Sequence, residues 1–197
     1  MLKATSSPTF YFEETPETYE TRTKAIMVAG QSALEWVTNI ITGVSESNTV
    51  IHRHEKFVVC KDYKQANDCD PQELHYLAFA TDARLMSIRD LDGNLDLEWL
   101  QVALKEIPDV ICKVFGGKIR KSEIRAYFHY WPTFHRLHVH YTHVAANNGG
   151  VACDRARLLQ DVIRSLQADP HAMKKATFTV GIKENDANFP KYEDLVA

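Results

Sequence analysis

IRAYFHYWPTFHRLHVHYTHV, residues 124–144, holds five of the nine histidines in the chain, and how this stretch folds decides the rest. Two runs within it, 124–131 (IRAYFHYW) and 137–144 (LHVHYTHV), are short and rich in aromatic and β-branched residues, with Pro132 between them. They predict two strands joined by a short turn. Side chains alternate sides along a strand. Arg136, His138, His140 and Thr142 therefore share one face, and Leu137, Val139, Tyr141 and His143 the other. His135, one residue outside the histidine row, points away from it in a regular strand. Three readings fit two imidazoles so placed: a zinc site, a structural pair satisfied by neighbours, or a nucleophile. No acidic residue or cysteine within the strand completes a metal set. A histidine with one ring nitrogen held by a neighbour presents the other as a nucleophile. Phosphoryl or nucleotidyl transfer to it needs cations and donors around the phosphate. Arg136, His140, Thr133 and Arg155 are candidates for that work, and with them no metal is required.

Working outward, residues 95–115 (LDLEWLQVALKEIPDVICKVF) give the clearest helix, with Leu97, Leu100, Leu104, Ile107 and Ile111 at three- and four-residue spacing. Pro108 is expected to kink it and Gly116–Gly117 to end it. A second amphipathic helix is predicted over 152–168 and a strand over 176–182, with a polar tail after Lys183. Before the long helix, 49–52 (TVIH), 57–60 (FVVC) and the run ELHYLAFAT read as strands. Further upstream, Pro16 to Thr42 reads as helix, with Thr15 as cap, a break at Gly30 and an end at Gly43. Residues 1–15 read as a loose polar arm. The mixed order predicts an α+β fold with a mainly antiparallel sheet flanked by helices.

The chain has 197 residues and a formal charge of −3, less basic than proteins that grip long RNA by its phosphates. A small nucleotide needs only a few local cations and remains compatible. The four cysteines form no CxxC pair, so free thiols in a reducing compartment are expected. The N-terminal residues lack a signal-peptide pattern, and no run approaches the ~18 apolar residues of a membrane span.

The stretch FHYWPTFHRLHVHYTHV resembles the active-site hairpin of the histidine-triad superfamily and, within it, the scavenger mRNA-decapping branch. SIRDL before the long helix and DRARLLQDVIRSLQADP after the hairpin extend the likeness to roughly residues 16–183. The resemblance implies a histidine-triad fold, with 1–35 as arm and linker helix and 36–197 as the domain proper. It makes His138 the covalent nucleophile. His140 and His129 become phosphate-facing histidines, Thr133 and Phe134 turn residues touching the phosphates, and Arg155 a nearby cation. It also implies a cap pocket. Trp36 matches the tryptophan that stacks on 7-methylguanine, Glu46 the glutamate that reads the guanine edge, and Asp62, Tyr63 and Lys64 the opposite wall. The chemistry agrees, since 7-methylguanine is cationic and an indole face attracts it by about 0.5–2 kcal/mol. A carboxylate can accept from both N1–H and N2–H of guanine.

Function by resemblance is hydrolysis of capped nucleotides to 7-methylguanosine monophosphate in mRNA decay. The alternatives are a cap-binding module with little turnover and a general nucleotide hydrolase. No cofactor and no metal are implied. The implied partner is a capped nucleotide or short capped RNA, with no membrane or DNA partner, in a homodimer of cytoplasmic or also nuclear location. Two departures stand out. Arg136 replaces the first triad histidine, and arginine cannot tune a neighbour by proton exchange. The family's N-terminal lid domain is not within these residues, and without it the ligand is expected to be wetter and the chemistry weaker.

Overall fold

The structure is a computed structural model that describes residues 7–45, 47–62, 70–146 and 149–196. In chain order the elements are β1 (Thr9–Glu14), α1 (Pro16–Thr18), α2 (Lys24–Gly30), α3 (Glu35–Thr42), β2 (Val50–Arg53), β3 (Phe57–Lys61) and β4 (His75–Ala80). Then follow α4 (Gly93–Val114), β5 (Ile124–His129), β6 (His138–His143), β7 (Ala156–Leu158), α5 (Leu159–Ala168), α6 (Ala172–Lys175) and β8 (Phe178–Lys183). The architecture is the α+β one expected, with antiparallel pairing at every neighbouring pair of strands.

A six-stranded sheet runs in the order β2-β3-β4-β6-β5-β7. One face carries the larger core. Val59, Tyr76, Ala78, Val139, Tyr141, Ala126 and Phe128 point into it, and helices α4 and α5 close it with Leu100, Ile107, Ile111, Val162 and Leu166. The opposite face carries a smaller apolar cluster. There Leu34, Val37 and Ile40 of the α3 region lie on Val58, Cys60, Leu77 and Phe79. The α3 sequence EWVTNIIT is rich in β-branched residues, which are poor helix formers. Packing holds it, at roughly 1.5–3 kcal/mol for each fully buried aliphatic side chain. Gly43 ends it as expected, in the left-handed region (φ 80°) where a glycine carries no Cβ penalty. Strand β4 is buried on both faces, which is why ELHYLAFAT shows no alternation.

Three local expectations change. The loose arm is a strand from Thr9 onward: β1 pairs with β8 in a separate two-stranded sheet, and Phe12 and Glu14 are buried. The helix expected over 152–168 begins only at Leu159, because Ala156–Leu158 form β7 and satisfy the outer edge of β5. Gly30 does not break the helical run by unusual backbone geometry, since its φ is −71°. It is a point of close approach, where an added Cβ would stand 2.2 Å from Cδ2 of His135.

A buried polar network ties these parts together. Glu14, fully buried, accepts from Thr23 Oγ1 (2.6 Å), Arg89 Nε (3.0 Å), Trp131 Nε1 (2.8 Å) and the Tyr130 hydroxyl. The Arg89 guanidinium also donates to the carbonyls of Glu14 and Ala176, both at 2.8 Å. Tyr130 and Trp131, joined by a cis peptide bond, open the loop that leads to the histidine strand. The N-terminal strand thus fixes the root of that loop.

Candidate functional site

The register of β6 sets the site. His138 lies opposite Phe79 of β4, and His140 lies between Leu77 of β4 and Tyr127 of β5. The histidines therefore extend, strand by strand, the rows of apolar side chains that α3 covers. The strand expected at 137–144 begins at His138, and residues 130–137 form the loop. His135 falls in that loop and packs towards Gly30, away from the histidine row.

His138 is buried (4% exposed), and its Nδ1 stands 2.7 Å from the carbonyl oxygen of Arg136. A carbonyl only accepts, so Nδ1 carries the proton. Burial pushes the ring's pKa down to about 4, against weaker raising effects of that hydrogen bond and of Asp62. At neutral pH the ring is therefore uncharged, with its lone pair on Nε2, the protonation state of a nucleophile. The orienting group is backbone, so replacing the side chain at position 136 does not remove it. The Arg136 side chain is buried and turns to the carbonyls of Ala80 and Thr81, at 3.4 and 3.3 Å. Its guanidinium is thus engaged at the end of β4, a different setting from the phosphate contact considered from sequence. Burial lowers its pKa and the Asp82 carboxylate opposes that.

His140 stacks on Tyr127 with ring centroids 5.2 Å apart and planes 12° apart. Its centroid is 4.1 Å from that of His129 and 4.8 Å from that of His138. His129 Nε2 donates to the Gly150 carbonyl at 2.9 Å. The three histidines singled out from sequence are therefore one cluster. Sequence reading missed a fourth. His75, the first residue of β4, puts Nε2 3.1 Å from His140 Nδ1 and 3.4 Å from Asp62 Oδ2. Asp62, at the end of β3, is 3% exposed. Only the non-local pairing of β4 with β6 brings His75 here, and nothing near residue 75 signals it.

The aromatic side joins on through Phe134. Its ring is 5.9 Å from His138 and 5.1 Å from Trp36, and Trp36 is 5.8 Å from Phe79, edge to face in both its contacts. Trp36, half-buried on the first turn of α3, borders a cleft of about 340 Å³ shared with Ile40, Lys61, Asp62, Phe79 and Phe134. That volume lies in the range of small-molecule sites. Thr133 and Arg155 line a second cleft of about 470 Å³ with Pro132 and Lys183. Arg155 donates to Thr133 Oγ1 at 2.8 Å, and burial lowers its pKa. The sequence-named residues thus fall into an aromatic cleft, a histidine row and a polar cleft that carries Arg155 among both charges. Glu46, Tyr63 and Lys64 lie outside the described residues.

The profile of the scavenger mRNA decapping enzyme C-term binding family matches residues 35–153, more than half of the chain and all of the histidine row. The chain belongs to this family. Two similar curated proteins carry the name m7GpppX diphosphatase. The one from Ascaris suum is 35% identical over 90% of this chain and 59% of its own length. The one from Rattus norvegicus is 28% identical over 88% of this chain and 52% of its own length. The chain therefore spans little more than half of the relatives it matches. Among solved structures, the aprataxin ortholog Hnt3 from Schizosaccharomyces pombe aligns with 54% of the chain and 56% of its own, at 16% identity and a TM-score of 0.42. Among its described residues this decapping family member has no helix long and apolar enough to cross a membrane.

Proposed function

We propose that this chain hydrolyses 7-methylguanosine cap nucleotides, as m7GpppN or short capped fragments, through a covalent intermediate on His138. One observation carries the reading. The Arg136 carbonyl holds His138 Nδ1–H at 2.7 Å, and burial keeps the ring neutral, so Nε2 is the free nucleophilic atom. The names of the relatives supply the substrate class.

In the first step Nε2 attacks the phosphorus nearest 7-methylguanosine. An N–P bond forms as the P–O bond to the departing nucleoside diphosphate breaks. Water then adds to phosphorus and gives its proton to solvent, and the N–P bond breaks. The products are 7-methylguanosine monophosphate and neutral His138. His140, His129, Arg155 and Thr133 stabilise the phosphate charge, while the Arg136 guanidinium stays with the carbonyls at the end of β4. On the base side the Trp36 indole stacks on the cationic purine, with Asp62 and Phe134 bordering the same cleft. By family resemblance Glu46, Tyr63 and Lys64 complete that pocket. The same resemblance carries a homodimer, and a monomer mass in sedimentation at micromolar concentration would remove it.

The test is incubation with a methylated cap dinucleotide, with product chromatography and mass analysis of the protein. The expected result is 7-methylguanosine monophosphate and an adduct on His138. His138→Asn should lower turnover by about 10⁴-fold or more. Undiminished hydrolysis in that variant would overturn the mechanism. Tight binding of the cap with no product over hours would favour a binding module instead.

A further inference from the structure

We propose that Asp62, His75 and His140 form a site for one divalent transition-metal ion of the zinc class. The three residues each offer a ligand atom, and all three atoms lie within 4.8 Å of one another. Two of the separations are 3.1 Å (His75 Nε2 to His140 Nδ1) and 3.4 Å (His75 Nε2 to Asp62 Oδ2). Zinc bonds of 2.0–2.2 Å in a tetrahedron require ligand atoms about 3.3–3.5 Å apart. Two of the separations already lie close to that span, and the third is at most 4.8 Å.

His75 Nε2 faces both Asp62 and His140, so the three ligand atoms form a compact group about one nitrogen. A cation bound there takes one lone pair from each. Two imidazoles with one carboxylate suit zinc-class ions, whereas magnesium and calcium take oxygen ligands. The donors are also held rigidly: His75 and His140 stand on paired strands of the sheet, and Asp62 follows β3 directly. Asp62 and His140 are 3% and 4% exposed, so they are already largely withdrawn from water. Asp62 borders the aromatic cleft, which gives an ion its way in. Zinc sites with three protein ligands keep a fourth, exchangeable position. The inference rests on ligand geometry and stands whether or not the cap reading holds.

The experiment uses the full chain after chelator treatment. Zinc titration by calorimetry should give one equivalent, with a raised thermal midpoint. Cobalt(II) in its place should give the intense visible bands of a four-coordinate ion. His75→Gln should weaken zinc at least tenfold. His171→Gln, at an exposed histidine 3.4 Å from Asp92, should leave it unchanged. Zinc should shift the ring-proton NMR signals of His75 and His140 and spare those of His171, a readout that needs no variant to fold. Absence of binding, an aqueous-type cobalt spectrum, equal affinity in the two variants, or ring shifts confined to other histidines would each overturn the proposal.

Discussion

Glu14 and Asp62 are both carboxylates withdrawn from water, at 0% and 3% exposure, and they stand in opposite company. Glu14 meets one permanent cation and three neutral donors, and Arg89 in turn reaches the Glu14 carboxylate and the carbonyls of Glu14 and Ala176. Burial and the neighbouring carboxylate push the Tyr130 phenol far up, so it keeps its proton and remains a donor. Asp62 instead faces the imidazole of His75, with that of His140 beside it, the side-chain type most used as a metal ligand. The two regions share one loop, since Tyr130 and Trp131 sit in the first and Thr133, Phe134 and Arg136 lead to the second. A fully hydrogen-bonded assembly holds the frame, and an imidazole cluster lies at the far end of the loop.

Breaking the frame should have the largest effect. Glu14→Ala strands the buried Arg89 charge, and urea unfolding should report a loss of about 3–5 kcal/mol. A loss under 1 kcal/mol would mean that the network is incidental. Acid should separate the two regions next. The folded-state pKa of His138 lies near 4, below its usual value, so the native state resists protonation there. The associated stability is complete above pH 6.5 and drains away as pH falls towards 4, by roughly 3 kcal/mol. Unfolding measured across that window should show a flatter pH slope in His138→Asn than in the wild type.

Trp36→Ala should weaken a methylated cap nucleotide by about 1–3 kcal/mol in calorimetry and erase the preference over the unmethylated one, with little change in thermal midpoint. Retained preference would remove Trp36 from the site. The smallest effect is expected at Arg136. Arg136→Ala leaves the backbone carbonyl on His138, so turnover should fall by less than about tenfold. A loss matching that of His138→Asn would show that the side chain, not the carbonyl, orients the nucleophile.

Local patterns carried far in this sequence. Alternation in LHVHYTHV separated the histidine row from Leu137, Val139 and Tyr141 correctly, because a strand has a period of two whatever it pairs with. The long helix was legible from its apolar spacing, and Gly43 from its place after EWVTNIIT. Non-local pairing was not legible. β1 and β8 join opposite ends of the chain, and TFYFEE next to Pro8 looks like a polar arm until its partner is known. β7 has three residues, too few to show a period, so a helix pattern absorbed it. His75 was hidden for the same reason: its neighbour on the sheet is chosen by strand order, which no local window contains. Arg136 was read for its side chain, whereas the atom beside His138 Nδ1 is its main-chain carbonyl, which every residue type would supply.

The close approach at Gly30 sets two design rules against each other. On a solvent-facing helix, exchanging glycine for alanine commonly gains up to about 1 kcal/mol. Here the new methyl would displace the His135 ring, three residues before His138 along the chain. A campaign that ranked substitutions by helix preference alone would therefore favour, at this one notch, the change most apt to loosen the loop over the histidine row.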